Sequence, residues 1–353
     1  MRLCELQRYQ SDWRGRATRR YIARVLTILL VRFSSIGDVL LTTPLVRALH
    51  RRHPEAALLY VTKRGMAPLV SDNPHLSDVV TLEPGEPLRH LAGRLRPLRA
   101  THGLDLHGSL RSAALRLLVP TSWCGYAKRR LARTLLISTK LDLYRARLPV
   151  AERYFEAARG LDVTPDGGPL EFHIGAGARE RADVWLGQRG LSDGRLVALA
   201  PGAAHATKRW PVAHWIALAD RLRGAGYAPV VVGGPDDRGI AQQLAGHAES
   251  AAGECSLQET GALLARAKVL VSNDTGVMHM ATGVGAPVVA LFGPTVEQFG
   301  FFPYRARARV LQRDLDCRPC SAMGTAQCPL GHHRCLGDIT PADVIRAVEE
   351  VAM

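Results

Sequence analysis

Short apolar runs that are rich in β-branched residues recur along the chain and stop at glycine or at small polar residues. Such runs are typical of strands buried on both faces of a parallel sheet. Between them, apolar residues recur at helical spacing, which indicates crossover helices. We therefore predict an α/β protein built on doubly wound parallel sheets. The predicted strands are Val25–Val31, Ala57–Thr62, Val79–Leu82, one that ends at Leu104–Leu106, Leu196–Ala200, Ala228–Val232, Val269–Ser272 and Val288–Phe292.

A length of 353 residues suits two domains of this kind. Glycine and proline concentrate at residues 160–170, which are the predicted linker. We predict four parts, in chain order: a basic N-terminal extension (1–24), a first doubly wound domain (25–165), a second one (166–338) and a C-terminal helix (339–353). Helices are also predicted over Ser109–Leu118 and His214–Leu222, and one is predicted after Gly37 that continues through Pro44 to Leu49.

The chain carries 46 basic and 32 acidic side chains, a formal net charge of +14. This charge predicts an anionic partner, such as nucleic acid, a membrane surface or a phosphorylated substrate. Residues 1–180 hold almost all of the excess, with 29 basic against 16 acidic side chains. The sequence has no helix-turn-helix, zinc-finger or RNP pattern, and only 6% of its residues are aromatic, so we do not expect it to bind nucleic acid.

No apolar run in the sequence reaches the roughly 18 residues of a transmembrane helix. The first 24 residues carry seven arginines and lack the apolar stretch of a secretory signal. We therefore expect a cytoplasmic protein that is soluble or peripheral to a membrane. The extension itself is open to three interpretations: a surface-lying anchor, a poorly ordered tail, or residues upstream of the true start.

Four glycine-containing loops directly follow strands of the predicted second domain. The carboxyl ends of parallel strands meet at one edge, where ligands bind in doubly wound folds. After the third loop, a helix start with a small residue would offer backbone N–H groups to a phosphate, and Lys208 is placed to add a point charge. Each loop alone is also compatible with a plain turn, Asp274 with a helix cap and Lys208 with a solvated side chain. The loops are Gly202, Gly233-Gly234, Asp274-Thr275-Gly276 and Gly293-Pro294.

In the first domain, Gly37-Asp38 follows the first strand. The surrounding residues match neither the Gly-x-Gly-x-x-Gly nor the Gly-x-x-x-x-Gly-Lys-Ser pattern, which disfavours a dinucleotide or P-loop site. Asp38 is left as a carboxylate at a helix start. It is a candidate general base or a helix cap.

Taken together, these motifs resemble in order and spacing those of the lipopolysaccharide heptosyltransferases, glycosyltransferase family 9. The likeness extends over nearly the whole chain from about Val25. The first-domain motifs are Ser34-Ser35-Ile36-Gly37-Asp38, Pro44 and Asp105–Ser112; the second-domain motifs are Pro201-Gly202, Lys208–Pro211, Gly233–Pro235, Asp274–His279 and Leu291–Thr295.

The resemblance implies a GT-B fold, in which two Rossmann-like domains face a central cleft. It implies transfer of heptose from ADP-heptose, with inversion, to the inner core of lipopolysaccharide. The implied partners are the ADP-heptose donor and a lipid A-core acceptor, met by a peripheral enzyme at the inner face of the inner membrane. The family's catalysis implies no metal or other cofactor, and we expect a monomer.

The resemblance places the catalytic aspartate at Asp38, as general base, and the phosphate-binding lysine at Lys208. Basic residues on loops after first-domain strands are candidates for the acceptor, although each is also compatible with an ordinary surface charge. The expected donor contacts are Gly202, Thr207, Lys208, Asp237, Asp274, Thr275, Gly276, Val277 and His279. The expected acceptor contacts are Ser35, Gly37, Lys63, Arg64, Arg111, Lys128 and Arg129.

Three alternatives stay open. The enzyme could use another nucleotide-sugar or acceptor; it could be a sugar-nucleotide epimerase of similar build; or it could be a binding protein without activity. An epimerase needs catalytic acids on both faces of the sugar and no acceptor site, which the basic first domain argues against. The presence of both Asp38 and Lys208 argues against a non-catalytic protein.

Four of the seven cysteines cluster near the C-terminus, with His332 and His333 among them. Thiolate and imidazole are the ligands of structural zinc, and the first pair has the short chelating spacing of such sites. The spacing of the second pair is not that of a standard zinc ribbon. A structural zinc, disulfides and reduced, packed thiols are all compatible with the sequence. The four residues are Cys317, Cys320, Cys328 and Cys335.

Overall fold

The computed structural model describes residues 26–191 and 194–352. These residues form a five-stranded and a six-stranded sheet, and all strand pairs are parallel. The prediction of two doubly wound parallel sheets is confirmed. The basic N-terminal extension (1–24) lies outside the described residues.

The first sheet has β1 at its centre, where residues 28–30 are fully buried between helices on both faces. Its strand order is β3-β2-β1-β4-β5. The strands are β1 Thr27–Val31, β2 Ala57–Lys63, β3 Asp78–Leu82, β4 His102–Asp105 and β5 Ser122–Gly125. The helices are α1 Ile36–Leu40, α2 Thr43–Arg52, α3 Leu88–Leu95, α4 Leu110–Leu118, α5 Arg130–Thr139 and α6 Val150–Arg153.

The helix predicted after Gly37 is divided in two, and that prediction is wrong at Leu41 and Thr42. Pro44 has no N–H to donate to the carbonyl of Leu40, four residues earlier. The Thr43 hydroxyl donates to that carbonyl instead, at 2.8 Å. The break leaves α1 as a short helix whose first turn carries Asp38.

The second sheet has the order β11-β10-β9-β6-β7-β8. Its central strands β9 and β6 are buried along their whole length; the apolar sequence of β6 and the apolar residues 269–271 of β9 predict this. The strands are β6 Leu196–Ala200, β7 Ala228–Val231, β8 Glu249–Ser250, β9 Val269–Asn273, β10 Val288–Leu291 and β11 Ala308–Leu311. The helices are α7 Ala176–Gln188, α8 Val212–Gly224, α9 Arg238–Gln243, α10 Leu257–Arg266, α11 Gly276–Gly283, α12 Arg334–Gly337 and α13 Pro341–Ala352.

The C-terminal helix α13 packs on one face of the second sheet, beside α8. Its apolar side, with Val344 and Val348, joins a buried cluster around Trp210 and Trp215. The Trp210 indole N–H donates to the Ile339 carbonyl at 2.9 Å, so the turn before α13 is tied to the loop after β6. This packing fixes the loop that carries Lys208.

Candidate active site

Two helix N-termini face each other where the sheets meet, α1 from the first sheet and α11 from the second. A Cβ on Gly37 would lie 2.5 Å from the ring of His279, and one on Gly276 would lie 2.7 Å from the Cβ of Ile36. Neither distance is possible for real atoms. Glycine at both positions therefore allows the close approach, and the predicted acceptor and donor loops lie side by side.

Asp38 lies in the first turn of α1, and its side chain is 18% exposed. The guanidinium of Arg32 contacts its Oδ2 atom at 2.7 Å. Ser35 donates to the same oxygen from its hydroxyl, at 2.8 Å, and from its backbone N–H, at 3.3 Å. Asp38 thus caps α1, as one interpretation predicted, and its other oxygen, Oδ1, contacts only the Tyr154 hydroxyl, at 3.4 Å, among the hydrogen bonds of the described residues.

Arg32 determines the charge state of Asp38. Burial by itself would raise the pKa of Asp38, but the Arg32 guanidinium and the Ser35 hydrogen bonds outweigh it, and the pKa lies below its ordinary value. Asp38 is therefore ionised at neutral pH. Arg32 is buried and also donates to the Leu106 carbonyl at 2.6 Å.

Sequence reasoning missed Arg32 and Tyr154 as site residues. The signal for Arg32 was a charged residue directly after a buried apolar strand, a place where an unpaired charge is costly. Tyr154 carried no local signal, because it approaches Asp38 from 116 positions away in the chain.

Lys208 lies at the end of a short 3₁₀ turn, Ala206–Lys208, and reaches the residues before α11. Its Nζ atom is 2.6 Å from the Asp274 Oδ2 atom and 3.3 Å from the Asp274 carbonyl oxygen. Asp274 is 8% exposed and also accepts from the Thr295 hydroxyl at 2.7 Å. Lys208 is thus held beside the N-terminus of α11 by a largely buried carboxylate.

Thr207 occupies the donor loop, but its side chain already has partners. The Thr207 hydroxyl donates to the Thr325 carbonyl at 3.0 Å and accepts from the Thr325 N–H at 2.8 Å. The Thr207 carbonyl lies 2.9 Å from the His333 ring. The cysteine-containing segment therefore contacts the loop that carries Lys208 through Thr325 and His333.

Gly202, Gly233 and Asp237 meet at the carboxyl edge of the second sheet. A Cβ on Gly202 would lie 1.8 Å from the Asp237 carboxylate, and one on Gly233 would lie 2.4 Å from it. Asp237 accepts from the Gly234 N–H at 2.9 Å, and burial raises its pKa. The structure thus brings together two of the predicted donor residues, Gly202 and Asp237, with Asp237 at the end of the 3₁₀ turn Pro235–Asp237.

His279 is the most enclosed of the predicted donor residues, 3% exposed within α11. Burial, with a smaller contribution from Lys208, lowers its pKa to about 4, so the ring is neutral at neutral pH. Its Nδ1 atom has no hydrogen-bond partner in the described part of the chain. Thr275 precedes α11 and Val277 lies in its first turn, so the helix start contains three further expected donor residues.

Comparison with known proteins identifies the chain. A sequence profile described as glycosyltransferase family 9 (heptosyltransferase) matches residues 88–330, more than half of the length. The chain belongs to glycosyltransferase family 9.

Curated relatives align over nearly the full length. Lipopolysaccharide heptosyltransferase 2 of Salmonella typhimurium is 28% identical over 352 residues, which covers 92% of this chain and 98% of that protein. Lipopolysaccharide heptosyltransferase 1 of Pseudomonas aeruginosa is 29% identical over 333 residues, covering 89% and 91%.

Solved structures of family 9 enzymes share the fold. The glycosyl transferase family 9 structure from Veillonella parvula superposes with a TM-score of 0.78 at 25% identity, covering 93% of this chain and 97% of that one. The structure of E. coli ADP-heptose LPS heptosyltransferase II gives 0.71 at 27% identity, covering 93% and 98%. The predicted GT-B architecture and the prediction of a glycosyltransferase are confirmed.

Of the predicted acceptor contacts in this family 9 enzyme, Lys128 lies near Arg32 and His107. Lys128 packs against Gly108, where a Cβ would lie 2.9 Å from its Cε atom, and burial together with Arg32 lowers its pKa. His107, which packs edge-on against Phe33, is neutral because burial, Arg32 and Lys128 lower its pKa to about 4. The positive charge of Arg32 therefore acts on both the Lys128 and the His107 side chains.

The other acceptor candidates are dispersed. Arg64 is exposed and paired with Glu83, with Nε at 2.8 Å from Oε2, and Arg129 pairs with Glu156 at 3.2 Å. Lys63 and Arg111 are exposed. Of the seven expected acceptor contacts, Ser35 and Gly37 lie beside Asp38, and Lys128 lies beside Gly108. The other four have ordinary surface positions, which was the alternative interpretation of each.

The four clustered cysteines of the glycosyltransferase are free thiols. Within the described residues, no three of their sulfur atoms, with or without a histidine, lie within 4.8 Å of one another. The Cys317 sulfur lies 3.9 Å from the His332 ring. Disulfides are therefore not formed here, and the zinc prediction gains no support from the arrangement.

Proposed function

We propose that this glycosyltransferase moves heptose from ADP-heptose to the inner core of lipopolysaccharide, with inversion at the anomeric carbon. The observation that carries the proposal is the contact of α1, whose first turn bears Asp38, with the N-terminus of α11. An acid–base group and a diphosphate site on opposite sides of one cleft are what an inverting transfer needs.

In this mechanism the acceptor hydroxyl attacks the anomeric carbon of the donor. A C–O bond forms there as the bond to the β-phosphate oxygen breaks, and ADP leaves with the electron pair. The hydroxyl proton passes to the Oδ1 atom of Asp38, whose Oδ2 atom is held by Arg32 and Ser35. Attack and departure occur on opposite faces, and the configuration therefore inverts.

Charge on the departing diphosphate would be stabilised by Lys208 and by the free N–H groups at the start of α11. Asp274 keeps the ammonium group in place but also neutralises part of its charge. The helix amides are therefore an essential part of the site. Because the pKa of Asp38 is low, proton transfer to it becomes favourable only late, when the attacking oxygen has lost electron density.

Arg32→Gln should move the acid limb of the rate–pH profile to higher pH. Asp38 acts in its ionised form, so activity is present above its pKa and is lost as the pH falls through it. Removing the guanidinium removes the main influence that lowers this pKa and leaves burial, which raises it. Initial rates measured across the acidic range test this shift.

The matched control is Arg94→Gln, which breaks an ion pair with Glu86 in the same domain and should leave the profile unchanged. An Arg32→Gln enzyme with a reduced rate but the wild-type acid limb would show that Arg32 does not act by lowering the pKa of Asp38.

A turnover assay tests the function itself. Purified enzyme with ADP-heptose and truncated core acceptors should release ADP in amounts that depend on the acceptor and equal the heptosylated product. Conversion of the donor into an isomer without acceptor would favour the epimerase alternative. Turnover with a different nucleotide-sugar, and none with ADP-heptose, would contradict the proposed donor but not the proposed inverting mechanism.

We further propose that the acceptor domain docks on an anionic membrane. No helix in the described part of the chain is long and apolar enough to cross a bilayer. Five strongly exposed leucines instead lie between residues 110 and 143, two of them 92% and 90% exposed, among arginines and lysines. Arg130 donates to the Gly108 carbonyl at 3.1 Å and brings the starts of α4 and α5 together. The leucine patch consists of Leu110, Leu117, Leu131, Leu141 and Leu143.

Replacing Leu110 and Leu131 together by serine should weaken binding to phosphatidylglycerol vesicles at least about 10-fold, since burying one leucine contributes roughly 1.5–3 kcal/mol. Co-sedimentation measures this. Leu330→Ser is the control, because Leu330 is 64% exposed in the second half of the chain. Equal vesicle binding by the double variant and the control would contradict the docking proposal.

A further inference from the structure

Three side chains converge beside the residues that directly follow the predicted linker (160–170). His75 lies in the loop before β3, and Glu171 and His173 lie in the extended segment before α7. The Nε2 atoms of His75 and His173 are 3.4 Å and 3.6 Å from the same Glu171 oxygen, Oε2. One ligand atom from each of the three lies within 4.8 Å of the other two.

Hydrogen bonding does not account for this cluster. The Glu171 Oε2 and His173 Nε2 atoms are shielded from solvent and have no hydrogen-bond partner in residues 26–191 and 194–352. A charge-assisted N–H to carboxylate bond has a length of about 2.7–2.9 Å, clearly shorter than either separation. Buried polar atoms without partners are rare in folded proteins, and these two lie 3.6 Å apart.

The separations fit ligands around a metal ion. Imidazole nitrogen and carboxylate oxygen bind Zn²⁺ at about 2.0–2.2 Å in tetrahedral geometry, which places neighbouring ligand atoms about 3.3 Å apart. The two measured distances are within a few tenths of an ångström of that spacing. Two histidines and one glutamate also form an accepted ligand set for zinc, with the fourth position taken by water.

The surroundings orient the three ligands. Arg47 contacts the other Glu171 oxygen, Oε1, at 3.0 Å, and the Glu171 N–H donates to the Thr43 hydroxyl at 2.9 Å. The ring of His50 packs against that of His75 with centroids 5.0 Å apart. Such outer contacts fix ligand orientation in metal sites. The His75, Glu171 and His173 side chains are 20%, 21% and 35% exposed, which leaves access for an ion and a water.

We propose that His75, Glu171 and His173 bind one divalent transition-metal ion, for which Zn²⁺ is the natural probe, and that this ion ties the segment after the linker to the first domain. The site shares no residue with the cleft around Asp38 and Lys208, so its role is structural. It is also separate from the cysteine cluster, which the sequence alone made the stronger metal candidate.

Zinc binding by the full chain tests the proposal. The background is Cys317→Ser/Cys320→Ser, which removes thiolate ligands. After chelator treatment and dialysis against Zn²⁺, this protein should hold one equivalent by elemental analysis, and zinc should raise its melting temperature. Adding His75→Gln or His173→Gln should remove the bound zinc and abolish the thermal shift. Adding His90→Gln, at an exposed histidine on α3, should change neither.

Cobalt gives a second measurement that does not depend on stability. Co²⁺ bound at the proposed site of the Cys317→Ser/Cys320→Ser background should show d–d bands without a thiolate charge-transfer band, and Glu171→Gln should weaken its binding at least about 10-fold. Circular dichroism of each metal-free variant checks that it is folded. The proposal is overturned if the background binds no metal, or if it keeps its zinc when either His75 or His173 is replaced.

Discussion

Asp38→Asn should lower kcat by about 10²–10⁴-fold, the contribution typical of a positioned general base, while the Kd for ADP stays within about 3-fold. Asparagine retains the shape of the side chain and one oxygen that accepts from Ser35, but it cannot take up the acceptor proton. We propose the donor site at the second sheet, so ADP affinity is not expected to change. Initial rates and calorimetric titration with ADP measure the two quantities separately.

The isosteric change leaves the buried Arg32 without its ion-pair partner, so stability has to be measured alongside. Asp78→Asn is the matched control, since Asp78 is an exposed aspartate of the same domain. A folded Asp38→Asn enzyme that transfers heptose at the wild-type rate would end the assignment of Asp38 as the base. An equal loss of ADP affinity would place Asp38 in donor binding instead.

The central strands were predictable because their signal is local. Residues 196–200 are apolar throughout, and the strand occupies the predicted range. The edge strand Ser122–Gly125 was missed, since it is only four residues long, lies partly exposed at the border of the first sheet and has no run of aliphatic residues. Edge strand Ala308–Leu311 was missed for the same reason, with Arg309 in its interior.

The site was predictable as a set of loops but not as a set of contacts. Glycine after a buried strand is visible in the sequence, and Gly37 and Gly276 lie where α1 and α11 contact each other. The partners of the charged groups are separated by tens of residues, as Lys208 is from Asp274. No periodicity or spacing encodes such pairs, because they depend on how the two sheets and their loops are arranged in space.

The same limit explains why the metal candidates differ between sequence and structure. The cysteines have a recognisable spacing, whereas His75 is almost a hundred residues from Glu171 and has no motif around it. His75 and Glu171 come together only because the chain after the linker runs back across the first domain.

Lys208→Ala should reduce kcat/KM by about 10²–10³-fold, the loss typical of removing one group that stabilises charge in the transition state. It should also destabilise the protein by about 3 kcal/mol, because Asp274 is left as a buried carboxylate without its ammonium partner. The first effect is measured by initial rates and the second by denaturant unfolding. Lys268→Ala is the control, at an exposed lysine of the same domain.

A second variant separates these two effects. Asp274→Asn added to Lys208→Ala removes the unpaired charge, and the amide still offers an oxygen to the Thr295 hydroxyl. We expect the double variant to regain most of the lost stability but none of the lost transfer rate, since the diphosphate still lacks its cation. If the double variant recovered activity together with stability, Lys208 would serve only to neutralise Asp274, and stabilisation of the leaving group would rest on the amides of α11 alone.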